Sequence, residues 1–508
     1  MSYSQLLSNL GFEADPFAKT NADEEERLDR YFTPPPFFNA VFGDLAHPKS
    51  AVVFAPRGGG KTAQKRKIEL QSTNEPLLCC TYNTFDIVGR KLEDIDLNYH
   101  LNNVIRRVLV GVLTALRIRG VSGVSNEDRH LLYLMTKAHL AKLGQSELRE
   151  SISAVKTFGD QAKEWWNTFT GPVGIVLNGL LSKVGFPAAD IQRFETDGGT
   201  LGALLDQLGF LRRIAQILGF KCIYILVDRV DENQLTNAKG SNAFRFIEPL
   251  LTDLQVLELD SVSFKFFLWD LLLDDYRAVA RPDRVKNYVL EWNHGQLQTM
   301  LGERLKAHSG GKVSSLSQIC PLAGRWNLDQ LVCLFAQGSP RTVIRICKAI
   351  IDQQSELNAD ASNISEKAVD LGFNEIASNI SKELFKESVI RDIQRTKKCD
   401  FTIKNVAAAF RISSPAAVNK VRSWEDAGAV ISLGTIQETA GAKPSNHYGI
   451  AHWLLAKHLF PELAIAAFAD SKVLSCPECA RVLLRDWEVG PQTCHHCQAD
   501  LPIKIQPF

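Results

Sequence analysis

A six-residue run, SAVVFA at positions 50–55, breaks at Pro56 into Arg57 and three consecutive glycines, then resumes at Lys61 and Thr62 as a basic stretch. Nothing else in the chain limits its fold as much. An apolar run this short, ended by proline and glycine, is a buried strand entering a loop. Gly58, Gly59 and Gly60 carry no Cβ, so backbone N–H groups can converge on one point, and a helix starting near Lys61 adds its positive end. Residues 55–62 follow the pattern G-x-x-x-x-G-K-[ST], with Ala55 replacing the first glycine. Ala55, Pro56, Arg57, Gly58, Gly59 and Gly60 are therefore expected to wrap the phosphates of ATP. Lys61 is expected to neutralise the β- and γ-phosphates, and the Thr62 hydroxyl to ligate Mg²⁺.

Such a loop needs an acid at the end of a neighbouring strand. The most apolar strand candidate, KCIYILV at 221–227, runs directly into Asp228-Arg229-Val230-Asp231-Glu232. Asp228 is expected to hold Mg²⁺ through water, and Asp231 or Glu232 to orient or deprotonate the attacking water. Further short apolar runs at 77–82, 264–269 and 287–292 alternate with helical spacing. Nearly all-apolar strands between helices predict an α/β fold, a parallel sheet covered on both faces.

A chain of 508 residues exceeds one core and divides into several units. Residues 1–49 are expected as a leader packing on the ATPase core, with a helix over 21–31. Residues 50–91 and 207–295 form that core, 92–206 a helical insert and 296–395 a helical lid. A winged helix at 396–465 and a zinc ribbon at 470–508 follow. The net charge of +1 places any nucleic-acid site in a local patch. The N-terminus has no signal-peptide pattern, and the best membrane candidate, 173–184, is too short and carries Asn178 and Lys183. Eleven cysteines, seven of them scattered through apolar stretches, suit a reducing cytoplasm better than a disulfide framework.

The other four form Cys476-x-x-Cys479 and Cys494-x-x-Cys497, fourteen residues apart. Paired thiolates at this spacing match a closed tetrahedral Zn²⁺ site that holds a fold rather than catalyses. His495 and His496 fall inside the second pair and could compete as ligands. Upstream, 402–411 and 414–424 read as helix–turn–helix, with Ser414 as N-cap and Pro415 in the first turn. Val418, Val421 and Trp424 are expected to face the core. That leaves Asn419, Lys420, Arg422 and Ser423 outward on the helix that enters a major groove in such domains. Residues 430–433 and 447–450 would be the wing strands.

Over roughly residues 10–350 the loop and acid strand resemble the AAA+ and STAND-type branch of P-loop ATPases. Arg229 separates the acids here, a D-x-x-D-E spacing that looks more like STAND or KAP-type NTPases. Gly338-Ser339-Pro340-Arg341 resembles the sensor-2 motif of origin-recognition-type ATPases, which implies that Arg341 contacts the γ-phosphate. The resemblance also implies an arginine finger at Arg281 or Arg284, offered to a neighbouring subunit, and a sensor-1 position at Asp270. Core, lid and winged helix in this order resemble origin-recognition and archaeal initiator ATPases, and bacterial stand-alone ATPases associated with mobile elements or antiphage defence. Two functions are implied. One is a nucleotide-switched ATPase bound to DNA through the winged helix, assembling as a homo-oligomer. The other is a STAND-like signalling ATPase whose insert, winged helix and ribbon bind an effector protein. Neither involves a membrane.

Overall fold

The computed structural model describes residues 3–120, 122–141, 143–159, 161, 164, 200–436, 443–486 and 493–501. The apolar run at 173–184 lies outside them, and no helix among the described residues is long and apolar enough to cross a membrane. The chain forms two compact units, Asn21–Glu291 and a second composed of Met1–Thr20 with Trp292–Phe508.

The first unit is built on a five-stranded sheet: β1 (Ala51–Ala55), β2 (Leu77–Tyr82), β3 (Cys222–Val227), β4 (Val262–Trp269) and β5 (Lys286–Val289). The order is β2-β3-β4-β1-β5, every pair parallel. Strands β1, β2 and β3 are buried along their whole length, which is why their sequences lack alternation. β1 and β3 are not neighbours, as the sequence suggested; β4 lies between them, with Ala55 opposite Trp269 and Val227 opposite Phe266. The glycine loop and the acid strand therefore face each other across the end of β4.

The described part of the insert is not a separate body. Its longest helix, Leu97–Arg119, is buried along most of its circumference. Its Val104, Val108 and Leu113 share one apolar core with Val52, Phe54, Leu78 and Phe266 of the sheet. Gly111 marks the closest approach, since a Cβ there would sit 3.1 Å from Leu78 Cδ1. Residues 155–157 cap the outer edge of β2, through a Cys80–Val155 bridge and a 2.9 Å bond from Lys156 N–H to Cys79 O. The insert helices thus form one of the layers covering the sheet.

The leader also divides. Leu6, Leu7, Leu10, Phe12 and Phe17 belong to the core of the second unit, beside Leu297, Leu301 and Leu305. Arg304 NH2 reaches back to Lys19 O at 3.1 Å. Residues 21–31, expected as one helix, form a short 3-10 turn at Ala22–Glu24 and a single turn at Leu28–Tyr31.

In the second unit the helices His294–Ser309, Leu328–Phe335, Pro340–Leu357 and Glu366–Leu384 pack round one core. They lead into a winged helix: helix Glu387–Thr396, β6 (Asp400–Thr402), helices Ile403–Phe410 and Ser414–Asp426, β7 (Val430–Ile436) and β8 (Ser445–Ile450). The strands form an antiparallel β6-β8-β7 sheet. Its first helix precedes the boundary at 396 expected from the sequence. The hairpin of β9 (Val473–Ser475) and β10 (Val482–Leu484) carries Cys476 and Cys479, and Cys494 and Cys497 follow on a second turn closed by a Thr493–Asp500 bridge. The hairpin's root is tied to the winged helix by buried polar contacts. Asp400 accepts from His447 Nε2 at 2.6 Å and from the Asp486 N–H, while Asp486 pairs with Lys472 at 2.8 Å and accepts from Cys399 N–H.

One buried charge stands out in the sheet. Lys265 on β4 is buried, with Nζ 2.6 Å from Lys49 O and 4.7 Å from the Tyr224 ring centre. Burial pulls its ammonium down to about 7, against a small opposing effect of Cys222. The unfolded chain holds that proton to about 10.4. The folding penalty is therefore full below pH 7 and relieved as pH rises from 7 towards 10. Lys265→Met should raise stability at pH 7 by a few kcal/mol, at about 1.4 kcal/mol per pKa unit, and flatten its rise between pH 7 and 10. Ser263 Oγ, 2.8 Å from Lys49 O, keeps that carbonyl paired in the variant. Urea unfolding at several pH values checks this; equal pH slopes for wild type and variant would refute it.

Candidate functional site

The glycine loop ends in the helix Lys61–Gln71, with Gly60 as a left-handed N-cap at φ +97°. Gly58 is also left-handed, at φ +78°, and a Cβ on Gly59 would lie 3.0 Å from Pro56 O. A side chain is thus strained at two of these positions and crowded at the third. Lys61 Nζ donates to Ala55 O at 2.7 Å and to Pro56 O at 3.0 Å, which lays the ammonium across the loop.

In the first turn of the helix, Thr62 Oγ1 donates to Asp228 Oδ2 at 3.1 Å. Asp228 is buried, and its N–H donates to Tyr82 O at 3.2 Å, continuing the β2–β3 ladder by one residue. Burial raises its carboxyl above the ordinary range, with the nearby Lys65 charge working against the rise. A hydroxyl and a carboxylate converging in this way are hard oxygen donors of the kind Mg²⁺ takes.

The two remaining acids separate clearly. Asp231 is buried, and its Oδ2 accepts from Arg57 Nε at 2.9 Å; the same guanidinium lies 4.3 Å from the centre of the Trp269 ring. Arg57 thereby links the loop to the ends of β3 and β4. Glu232 has a side chain 61% exposed and faces Arg229 at 3.8 Å. Asp270 follows Trp269, which is opposite Ala55 in the sheet, and begins a short 3-10 turn.

Sequence reasoning missed Asp23. Its carboxylate takes Lys65 Nζ at 2.8 Å and Arg229 NH2 at 2.7 Å, so it lies within the charge network of the loop helix. Position 23 sits in an acidic run (ADEEE) in which nothing distinguishes one carboxylate from the next.

The two expected finger arginines do not join this cluster. Arg281 pairs with Asp283 at 2.7 Å and Arg284 with Glu258, all on the surface before β5. Arg341 is exposed in the first turn of Pro340–Leu357, capped by Ser339, and belongs to the second unit.

The four cysteine sulfurs of Cys476, Cys479, Cys494 and Cys497 lie within 4.8 Å of one another, the one such group of potential metal ligands among the described residues. Cys476 and Cys497 are 3.5 Å apart, Cys479 and Cys494 3.7 Å. A tetrahedron with metal–sulfur bonds of about 2.3 Å has edges of roughly 3.8 Å, so the set fits Zn²⁺. The two knuckles repeat one geometry. Cys476 N–H donates to Arg481 O and Ala480 N–H to Cys476 O; Cys494 N–H donates to Ala499 O and Gln498 N–H to Cys494 O. Ala480 and Gln498 are both left-handed, at φ +55° and +62°. The histidines do not compete: Arg485 donates to His495 Nδ1 at 2.8 Å and Arg481 to His496 Nδ1 at 2.6 Å. Burial and the neighbouring Arg485 charge drive His495 down to about 4.

On the winged helix, Ala417, Val421 and Trp424 face the core, and Val418 is only half-buried. The cap is Ser413 rather than Ser414. Lys420 is not an outward cation: it pairs with Asp392 at 2.5 Å and lies 4.4 Å from the Phe410 ring centre. Asn419, Arg422 and Ser423 are exposed, and Arg422 has no ion pair among the described residues.

No family model matches the sequence, and no curated protein matches it. Similar solved structures include the Orc1 protein of Aeropyrum pernix in complex with DNA, 12% identical, covering 88% of this chain and 98% of that one, with a TM-score of 0.36. The Orc2 protein of the same organism, in ADPNP–ADP complexes, is 10% identical over 87% of this chain and 98% of that one, with a TM-score of 0.36. At those scores the assignment rests on the chain's own strands and loop. These define an α/β P-loop fold with helical layers, followed by a helical region, a winged helix and a four-cysteine segment.

The cysteine geometry generates a direct test. Freshly purified, reduced protein should contain about one zinc per chain, and Cys479→Ser or Cys494→Ser should lose it and loosen the turns that carry the two cysteine pairs. Elemental analysis finding no metal in the reduced wild type would reject the site.

Proposed function

We propose that the chain is an ATP-hydrolysing P-loop ATPase of the AAA+ kind, acting as a nucleotide-dependent switch on DNA. The observation that carries it is the Thr62–Asp228 hydrogen bond of 3.1 Å, which joins the loop helix to the acid strand across the intervening β4. Lys61 would meet the β- and γ-phosphates, and the loop N–H groups would bind their oxygens. Thr62 and Asp228 would hold Mg²⁺, which when bound neutralises charge developing on the phosphates. Asp231, held against the loop by Arg57, is the better placed acid for orienting the attacking water; Glu232 is turned to solvent. Arg341 would read the γ-phosphate, Asp270 would act as a sensor at the end of β4, and Arg281 and Arg284 would serve a neighbouring subunit.

Lys61→Ala should lower turnover by roughly 10²-fold or more. Asp231→Asn should retain nucleotide binding and slow turnover by roughly 10²-fold. Glu232→Gln, and Arg57→Ala, which breaks the same contact but keeps the carboxylate, should each cost only a few-fold. Steady-state phosphate release beside fluorescent-nucleotide binding measures all four. Wild-type turnover in Lys61→Ala would sink the proposal, and the reverse ranking of Asp231 and Glu232 would move the acid by one residue.

DNA binding is proposed through Asn419, Arg422 and Ser423. Arg422→Ala should weaken duplex binding and reduce the slope of log affinity against log salt by about one, leaving the melting temperature unchanged. Lys420→Ala should instead destabilise by roughly 1 kcal/mol through its lost ion pair and ring contact. A second function keeps one observation in its favour, because the pairing of Lys420 with Asp392 removes one of the outward cations of the helix. No salt-dependent duplex binding in anisotropy titrations would move the winged helix and ribbon to an effector protein.

A further inference from the structure

The Asp228 carboxylate has two cations beside it. Lys65, one turn beyond Lys61, is buried with its Nζ 3.9 Å from Asp228 Oδ2. Arg229 follows Asp228 directly, in a left-handed backbone conformation at φ +59°. Either side chain, drawn fully onto Asp228, would occupy the oxygens that a divalent cation needs. Lys65 stops at the outer edge of ion-pair range, 3.9 Å from Oδ2 and beyond hydrogen-bond distance, while the Arg229 guanidinium turns to Asp23 and Glu232. Asp23, entering from the 3-10 turn Ala22–Glu24, takes one with each oxygen: Oδ1 lies 2.8 Å from Lys65 Nζ and Oδ2 2.7 Å from Arg229 NH2. Glu69 also faces Lys65, at 3.5 Å, but the same oxygen accepts from Thr81 Oγ1 at 2.6 Å, and Arg66 takes the other at 3.2 Å. The shortest contact to Lys65 is therefore Asp23.

We propose that Asp23 is a positioning residue for the metal site: by holding Arg229 and drawing Lys65 back to 3.9 Å from Asp228, it keeps both cations out of hydrogen-bond distance of that carboxylate and leaves its oxygens to Mg²⁺. The inference rests on the proposed ATPase function and adds to it a residue outside the loop and the acid strand. A buried ammonium and a divalent cation compete for one carboxylate, and the winner depends on what else the ammonium can reach. With Asp23 neutralised, Lys65 has Glu69 and Asp228 left, and Glu69 is already shared.

The test is the Mg²⁺ dependence of fluorescent-ATP binding in the full chain, with binding in EDTA and thermal melting measured in parallel. Asp23→Asn should raise the Mg²⁺ concentration at half-maximal Mg²⁺-dependent binding about tenfold, leaving affinity in EDTA within about twofold. A merely structural role would instead lower binding in both conditions together with the melting temperature. Asp23→Asn/Lys65→Gln, which restores the charge balance, should return the midpoint to the wild-type value or below it. This double variant also carries the test if the single variant does not fold. An unchanged midpoint in Asp23→Asn, or one still raised severalfold in the double variant, overturns the proposal. A wild type without Mg²⁺-dependent nucleotide binding removes the ATPase function itself, a different outcome from a wild type that binds and an Asp23→Asn that binds identically.

Discussion

A hydroxyl and a carboxylate 166 positions apart in the chain meet at 3.1 Å, and the first unit is organised around that meeting of Thr62 and Asp228. It requires β1 and β3 to end at the same level with only β4 between them. It also requires the loop to turn tightly enough for the helix to begin at Lys61, which the left-handed Gly58 and Gly60 permit. Parallel strands deliver all their carboxyl ends to one edge of the sheet, so residues that follow different strands become neighbours there. Asp228 after β3, Asp270 after β4 and the loop after β1 converge for this reason.

Burying a carboxylate beside a lysine is costly unless every charge finds a partner. The site meets this with a chain of pairs: Lys65 with Asp23 and Glu69, Glu69 with Thr81 and Arg66, Arg229 with Asp23, and Arg57 with Asp231. Several of these side chains come from segments that neither the glycine loop nor the acid strand would single out. The leader contributes through Asp23 while its first twenty residues belong to the other compact unit. Its one sequence neighbourhood therefore serves two cores.

The second unit follows the same logic on a smaller scale. The four-cysteine segment, a hairpin and the turn that follows it, has little apolar core of its own, namely Leu474, Leu483 and Leu501 beside Cys476 and Cys494. Its root gains order from Asp400, His447, Asp486 and Lys472, which bind it to β6 and β8 of the winged helix. Sulfur geometry at one end and buried ion pairs at the other hold a segment that packing alone would leave loose.

The glycine loop, the strand before it, the acid strand and the cysteine spacing were all legible in the sequence, because each is a local pattern whose chemistry follows from residue type and separation. The all-apolar strands announced a parallel sheet for the same reason. Three things were decided only in three dimensions. The order of strands placed β4 between β1 and β3, since register and adjacency depend on packing that no local pattern encodes. The helix Leu97–Arg119, within the insert, became a layer of the sheet's own core, because its nearly all-round burial depends on what lies against it. And the charged side chains chose their partners: Asp231 went to Arg57, Lys420 to Asp392, and Asp23 to Lys65 and Arg229. A charge written in a sequence carries its sign but not its partner, and in a buried site the partner determines what the charge can do.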